Sequence, residues 1–282
     1  HQLGSFDPKT DSYNKIDLSL DDWVKQLPIL EEVTKEQLEG RIEDTVNTDE
    51  WVVFAKASRT TADLDLDGRH GYFEMAIPTG NGTYGIYPFG IFPGTFPNTA
   101  KELIVFLGNT FRAKIAYPDE NYFYTHRQQA AHPIKLTNNE ARDFMRTLQI
   151  ELIKSRYGHS IFQFGAENCA YWSQSVLNTI EAKKHNFYKT DYVESYPLNP
   201  VLKVIFAFFR SLPKFIRNSG IRNVDALFGT RRGIEVFENR CRVFKSHKTS
   251  PVRNEFVIYQ PGHLHRQIEQ GKIKGRISLG NC

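Results

Sequence analysis

The sequence predicts an α+β fold in which an antiparallel sheet has helices packed around it. Strand-like runs, either continuously apolar or alternating, follow one another from residue 51 and are separated by Gly/Pro-rich turns. Helical patterns with clear capping signals lie before and after these runs. The 282 residues carry no internal repeat and no low-complexity tract, so we expect one catalytic or binding core with appended elements.

Residues 1–50 are predicted to form a helical lead-in that packs on the main body. Ser19 has the character of an N-cap, and Trp23 and Leu27 lie four apart on one face of the helix that it would start. Thr34 and Gln37 then stand at the two positions of a capping box, which predicts a second helix.

Residues 51–190 are predicted to form the core. Thr137 and Glu140 make a second capping box, and Gly158 stands where the helix that they start would end. Strands are predicted in five runs: WVVFAKAS, GYFEMAI, the aromatic part of PTGNGTYGIYPFGIFPG, ELIVFLG and FRAKIAY.

Residues 191–282 are predicted to form a C-terminal extension. Its apolar and basic segment, 197–218, includes VLKVIFAFFRSLPKFIRN. A buried helix is the plain interpretation, and a membrane-surface or partner-binding element is the sharper one, because basic residues flank a Phe-rich face. Short strands are predicted in GIEVF, RCRVF and EFVIY.

Composition excludes few classes of function. The net charge of +4 does not call for nucleic acid as a partner. No run reaches the roughly 18 apolar residues of a membrane-spanning helix. Three cysteines, Cys169, Cys241 and Cys282, are too few for a disulfide framework. Because the chain starts at His1, we expect a processed or trimmed protein, and its compartment stays open.

Cys169 is the first candidate for a reactive group. It follows Asn168, a good N-cap residue, and Cys169, Trp172, Val176 and Ile180 recur at helical spacing. A helix therefore starts at or just before Cys169, and the positive end of its dipole favours a thiolate. The alternative is a small buried thiol that only packs, as many cysteines do.

His70 is the candidate base for Cys169. It opens a strand directly after a polar, Gly-containing loop, where a side chain is held rigidly and stays reachable. A lone histidine at a strand start is more often structural, so the combination with Cys169 carries the hypothesis. His159, in the corner that leads to Cys169, is a rival base.

Two stretches together resemble a known family of thiol enzymes. RHGYFEMAIPTGNGTYGIYPFG and YGHSIFQFGAENCAYWSQSVL are similar to the histidine strand and the cysteine helix of the circularly permuted branch of the NlpC-like cysteine peptidase superfamily. That branch includes lecithin:retinol acyltransferase-like enzymes. The resemblance covers about residues 51–180 and implies a permuted papain-like core, with Cys169 as nucleophile and His70 as base.

The family pattern also implies a third polar residue that orients the histidine. Glu74 shares a strand face with His70, although four residues along a strand span about 13 Å. The following strand offers Tyr87 and Tyr84, the loop before His70 offers Asp63, Asp65 and Asp67, and a bare Cys–His pair is the remaining alternative. Asn168 and Gln163 are candidates for holding the oxyanion, because donors at a helix start point outward.

These observations predict a cysteine hydrolase, a peptidase or amidase that works through an acyl-enzyme on Cys169. The alternatives are a lipid acyltransferase or lipase-like thiol enzyme at a membrane surface, reached through 197–218, and an inactive binding module. We expect no cofactor and no nucleic-acid partner. The two imidazoles of His263 and His265 lack further ligands at a sensible spacing, so we expect no metal site.

Overall fold

A computed structural model describes residues 3–60, 70–94, 111–124, 127–162, 169–177 and 276–279. In this part of the chain the protein is a mixed α/β structure with a mostly antiparallel sheet and few helices. The predicted α+β class is confirmed at this level.

Ten strands lie in the described residues. A small hairpin pairs β1 with β2, and the other strands form one eight-stranded sheet in the order β10-β8-β4-β5-β6-β7-β9, with β3 added beside β6. The strands are β1 (Gly4–Asp7), β2 (Ser12–Lys15), β3 (Glu31–Thr34), β4 (Trp51–Thr60), β5 (His70–Pro78), β6 (Thr83–Pro93), β7 (Phe111–Ala116), β8 (Arg127–Leu136), β9 (Ile161–Phe162) and β10 (Arg276–Leu279).

Strand β6 is the element that brings distant parts of the chain together. One edge of β6 pairs with β5 along Tyr84–Phe89. The other edge pairs with β3 near its start and with β7 over Gly90–Pro93. The chain that leaves β7 therefore runs beside the middle of β6, and the backbone N–H of Asp119 donates to the carbonyl oxygen of Pro88 at 3.1 Å.

The helices begin where the sequence predicts them. The predicted N-cap at Ser19 and both capping boxes, Thr34–Gln37 and Thr137–Glu140, are confirmed. The longest of the described helices ends just before Gly158, whose φ of 70° suits glycine. The helices are α1 (Leu20–Val24), α2 (Lys35–Ile42), α3 (Asn138–Arg156) and α4 (Cys169–Leu177), together with a 3-10 turn at Glu120–Phe123.

Apolar side chains cover both faces of the sheet. On one face Phe73 and Phe89 pack with Phe144 of α3 and Trp172 of α4. On the other face the apolar side chains of β3 and α2 pack with Val52, Phe54 and neighbouring residues. The alternating pattern of GYFEMAI predicts a half-buried strand, but β5 is buried on both faces because apolar side chains cover the sheet on either side.

The lead-in at 1–50 contains strands as well as helices, which corrects its description as purely helical. Strands β1 and β2 form a hairpin against α3, where Gln149 donates to the carbonyl oxygens of Leu3 and Ile16. Strand β3 joins the main sheet through β6. These strands are four residues long, too short to produce a clear alternating pattern in the sequence.

Several predicted elements lie outside the described residues: the strand ELIVFLG, the segment 197–218, and the strands GIEVF, RCRVF and EFVIY. Of the predicted C-terminal extension, the structure describes β10, which pairs with β8 of the main sheet. The bounds of the three predicted domains stay predictions. No helix among the described residues is long and apolar enough to cross a membrane.

Candidate active site

Cys169 and His70 meet at the start of β5. The backbone N–H of Gly71 donates to Cys169 Sγ at 3.5 Å, and the Cys169 thiol lies close enough to the His70 ring to help raise the pKa of His70 through its charge and hydrogen bonding. Both residues are buried, with 7% and 6% of their surface exposed. The structure therefore brings together Cys169 and His70, the two side chains that the sequence predicts to act as a pair.

Helix α4 places the thiol, because Cys169 is its first residue. The Trp172 ring stacks on Phe73 of β5 with ring centroids 5.5 Å apart, and its Nε1 donates to Glu151 Oε2 of α3 at 3.1 Å. The indole thus ties α4 both to the sheet and to α3. A thiol at this helix start lies near the positive end of the helix dipole, which favours the thiolate.

Asp119 is the third member of the site. Its Oδ2 lies 2.6 Å from His70 Nε2, and the carboxyl group is fully buried. Since Nε2 is taken by the carboxylate, Nδ1 is the ring nitrogen left for the thiol. Asp119 also caps the 3-10 turn that follows it by accepting the backbone N–H of Asn121 at 2.8 Å. This turn holds the carboxylate in place.

Gly90 leaves the space through which Asp119 reaches His70. A Cβ built on Gly90 would overlap Asp119 Oδ2 and would lie 2.8 Å from His70 Nε2. Strand β6 lies between β5, which carries His70, and β7, which leads to Asp119. The Asp119 carboxylate therefore reaches His70 across β6 at Gly90, where the strand carries no side chain.

The three groups form a charge-coupled set. Burial alone would lower the pKa of His70, but the charges and hydrogen bonds of Asp119 and Cys169 outweigh burial and raise that pKa to about 10. Burial would raise the pKa of Asp119, yet the His70 charge and the hydrogen bonds from His70 and Asn121 lower it overall. At neutral pH the arrangement therefore favours an imidazolium between a carboxylate and a thiolate.

Two aromatic rings flank the His70 imidazole. Phe92 stacks on it at 4.5 Å between ring centroids, and Tyr72 lies nearly parallel at 5.7 Å. These contacts restrict rotation of the imidazole. A fixed ring is needed if one nitrogen is to face the carboxylate while the other faces the thiol.

The structure corrects the predicted orienting residues, because Glu74 and Tyr87 both have other partners. Glu74 forms a buried ion pair with Lys56 of β4. Tyr87 packs with the core on the α3 side of the sheet and stacks on Tyr117. Among the described residues, the carboxylate against His70 is that of Asp119.

The rival base, His159, lies in a separate aromatic cluster. Its Nδ1 is 3.0 Å from the Tyr13 hydroxyl, and its ring packs edge-on against Phe6. Burial and the nearby charge of Arg112 lower the pKa of His159. These contacts tie His159 to the N-terminal hairpin.

The remaining candidates lie outside the described residues. These are the predicted oxyanion residues Asn168 and Gln163, the imidazoles of His263 and His265, and Cys241 and Cys282. In the described ranges, no group of three or more His, Cys, Asp or Glu side chains is arranged to hold a metal ion.

Sequence reasoning missed Asp119, although a local signal was present. Asp119 follows Pro118 at the end of a predicted strand and precedes Asn121 by two residues, a pattern typical of a turn capped by an Asp side chain. The signal fixes a turn but not its partner, because 49 residues separate His70 from Asp119 and their contact depends on the path of β6 and β7.

Comparison with known proteins adds no relative to this picture. No family model, no curated protein and no solved structure matches the chain.

Proposed function

We propose that the protein is a cysteine hydrolase that cleaves peptide or amide bonds through an acyl-enzyme on Cys169. The observation that carries this proposal is the buried sequence of contacts from Cys169 to His70 to Asp119. A packing thiol needs neither a charged imidazole nor a carboxylate behind it. Burying these groups costs stability, and a role in catalysis accounts for that cost.

In the proposed reaction, the Cys169 thiolate attacks the carbonyl carbon of the substrate, with His70 already carrying the thiol proton. Backbone N–H groups at the start of α4 point outward and stabilise the negative oxygen that forms. The carbon–nitrogen bond then breaks, and the leaving amine takes the proton of His70. Water adds to the thioester with His70 as base, which releases the acid and restores the thiol.

Asp119 has a definite part in this scheme. Its carboxylate fixes the ring of His70 so that Nδ1 faces the thiol, and its charge stabilises the imidazolium. The interpretation as an inactive binding module rested mainly on the lack of an evident orienting residue in the sequence. Asp119 fits that position, which favours an enzyme.

The order of the elements is consistent with the resemblance to the permuted NlpC-like branch. The histidine opens a strand of an antiparallel sheet, and the cysteine opens a helix later in the chain and packs on that sheet. We therefore propose a permuted papain-like core for residues 51–190. The lipid alternative depends on the segment 197–218, which lies outside the described residues. The described contacts of Cys169, His70 and Asp119 support acyl transfer without it, so peptide and amide hydrolysis stays the first choice.

The proposal is tested by trapping the acyl-enzyme. Mixing the protein with p-nitrophenyl acetate should add one acetyl group at Cys169, detected by intact-protein mass spectrometry and peptide mapping, and the group should then be lost to water. Cys169→Ala should not be acetylated there, and His70→Ala should acetylate slowly. A library of blocked peptides, read by mass spectrometry, then tests amide cleavage. Wild-type protein that gives neither an acetyl-Cys169 nor cleaved peptide would contradict the proposal.

A further inference from the structure

Asp119 is held by a neighbour that the proposed reaction does not use directly. Asn121 is buried, with 2% of its surface exposed. Its backbone N and its side-chain Nδ2 both donate to Asp119 Oδ1, at 2.8 and 3.1 Å. The other oxygen, Oδ2, faces His70 Nε2. Both oxygens are therefore occupied, and the plane of the carboxylate is fixed.

The orientation of Asn121 is fixed in turn. Its Oδ1 accepts a hydrogen bond from Ser58 Oγ at 3.2 Å and one from Arg127 Nη1. An amide turned the other way would set its NH₂ group against these two donors and its oxygen against the Asp119 carboxylate. Ser58 lies on β4 and Arg127 on β8, so two strands of the sheet hold the amide.

We propose that Asn121 is a positioning residue, locked by Ser58 and Arg127, that keeps the Asp119 carboxylate aligned with His70. The inference deepens the proposed function and rests on it. Asn121 acts through Asp119 and touches neither the thiol nor the reacting atoms.

The charged groups around Asp119 make the consequence of losing Asn121 specific. His70 faces Asp119 from β5, Cys169 lies behind His70 on α4, and Arg127 reaches the cluster from β8. Farther along the same face, Lys56 and Glu74 pair with each other. Removing the Nδ2 donor destabilises the charged form of Asp119 and frees its carboxylate to rotate, which weakens its hold on the imidazolium.

The test compares the rate at which iodoacetamide alkylates Cys169 across a range of pH in wild type, Asn121→Ala and Gln149→Leu. Gln149 is buried on α3 and binds the N-terminal hairpin, so its loss controls for destabilisation away from the site. We expect Asn121→Ala to slow alkylation on the order of tenfold at about pH 6, since a hydrogen bond to a charged group is lost, while Gln149→Leu matches wild type.

Two results separate this inference from the proposed function. A wild type that is not alkylated faster at about pH 6 than a free thiol would defeat the proposed function itself. A fast wild type with an equally fast Asn121→Ala would overturn the inference and leave the function standing. If Asn121→Ala does not fold, Arg127→Gln, at a partly exposed position, gives the same reading: slower alkylation supports the inference, and unchanged alkylation overturns it.

Discussion

At the scale of single residues, the site depends on which side chain is absent as much as on which are present. His70 and Asp119 lie on elements separated by β6, and their contact passes over Gly90. A side chain at position 90 would occupy the place of the carboxylate. The glycine is therefore a requirement of the site rather than of the strand, since glycine weakens a strand interior.

Gly90→Ala should displace Asp119 from His70 and slow iodoacetamide alkylation of Cys169 at about pH 6, by on the order of 10²-fold if the misplacement approaches 1 Å. Gly40→Ala is the matched control, because a Cβ at Gly40 meets nothing within 4 Å. Circular dichroism checks that both variants fold. Wild-type alkylation in a folded Gly90→Ala would show that the carboxylate can move without cost.

Residue-level prediction from the sequence is possible where the signal is local. Helical spacing behind an N-cap residue makes Cys169 a candidate, and a strand start together with the family resemblance makes His70 one; the structure places these two side chains together. Asp119 could not be identified in this way, because its relation to His70 is created by strand order. Glu74 failed as a candidate for a related reason: its charge is neutralised by Lys56 on the neighbouring strand, a pairing that the sequence does not display.

At the scale of elements, the position of the thiol depends on how α4 docks. Trp172 stacks on Phe73 of β5 and donates to Glu151 of α3. Contacts with both the sheet and α3 therefore fix the position of the start of α4. Capping boxes and apolar spacing could predict where α2, α3 and α4 begin, whereas the docking of α4 follows from packing between residues far apart in the chain.

Trp172→Phe should keep the ring stack and remove the indole hydrogen bond to Glu151. We expect the free energy of unfolding to fall by about 1 kcal/mol, measured by urea unfolding, and alkylation of Cys169 to slow modestly. Trp172→Ala, which also removes the ring, should lower the free energy of unfolding by about 3–5 kcal/mol. Equal losses in the two variants would mean that the hydrogen bond, and not the ring, anchors α4.

The capping box of α3 gives a prediction that is independent of the site. Thr137→Ala removes the acceptor for the backbone N–H of Glu140 and should lower the free energy of unfolding by about 1 kcal/mol, measured by urea unfolding. Thr34→Ala at the start of α2 is the matched variant. Neither should change the pH dependence of Cys169 alkylation, and a change in Thr137→Ala would mean that the start of α3 is coupled to the site.

At the scale of the whole molecule, the buried charges make stability depend on pH. The pKa of His70 rises from 6.5 to about 10 on folding, so its contribution is complete below about pH 6.5 and is lost as the pH rises toward 10. The pKa of Asp119 is lowered from 3.8, so its contribution is complete above about pH 4 and is lost as the pH falls.

Asp119→Asn should therefore cost most stability between about pH 4 and 6.5, roughly 3 kcal/mol since one partner of a buried pair is removed. The difference from wild type should shrink toward pH 10, as measured by urea unfolding across pH. Asp44→Asn is the control, because Asp44 pairs with Lys135 at an exposed position and its loss should cost less than about 1 kcal/mol. A difference that is flat with pH would contradict the charged His70–Asp119 pair.

The fold class was predictable because strand and helix signals are local. The strand order was not predictable, since β3 and β10 join the sheet from far along the chain.

A thiolate held by His70 is tested by the pH dependence of iodoacetamide alkylation at Cys169 in wild type, His70→Ala and His159→Ala.

We expect rapid alkylation of wild type well below the ordinary thiol pKa of about 8.5, its loss in His70→Ala, and its retention in His159→Ala. Slow alkylation in all three proteins, with the pH dependence of a free thiol, would contradict a His70-held thiolate and make Cys169 a packing residue.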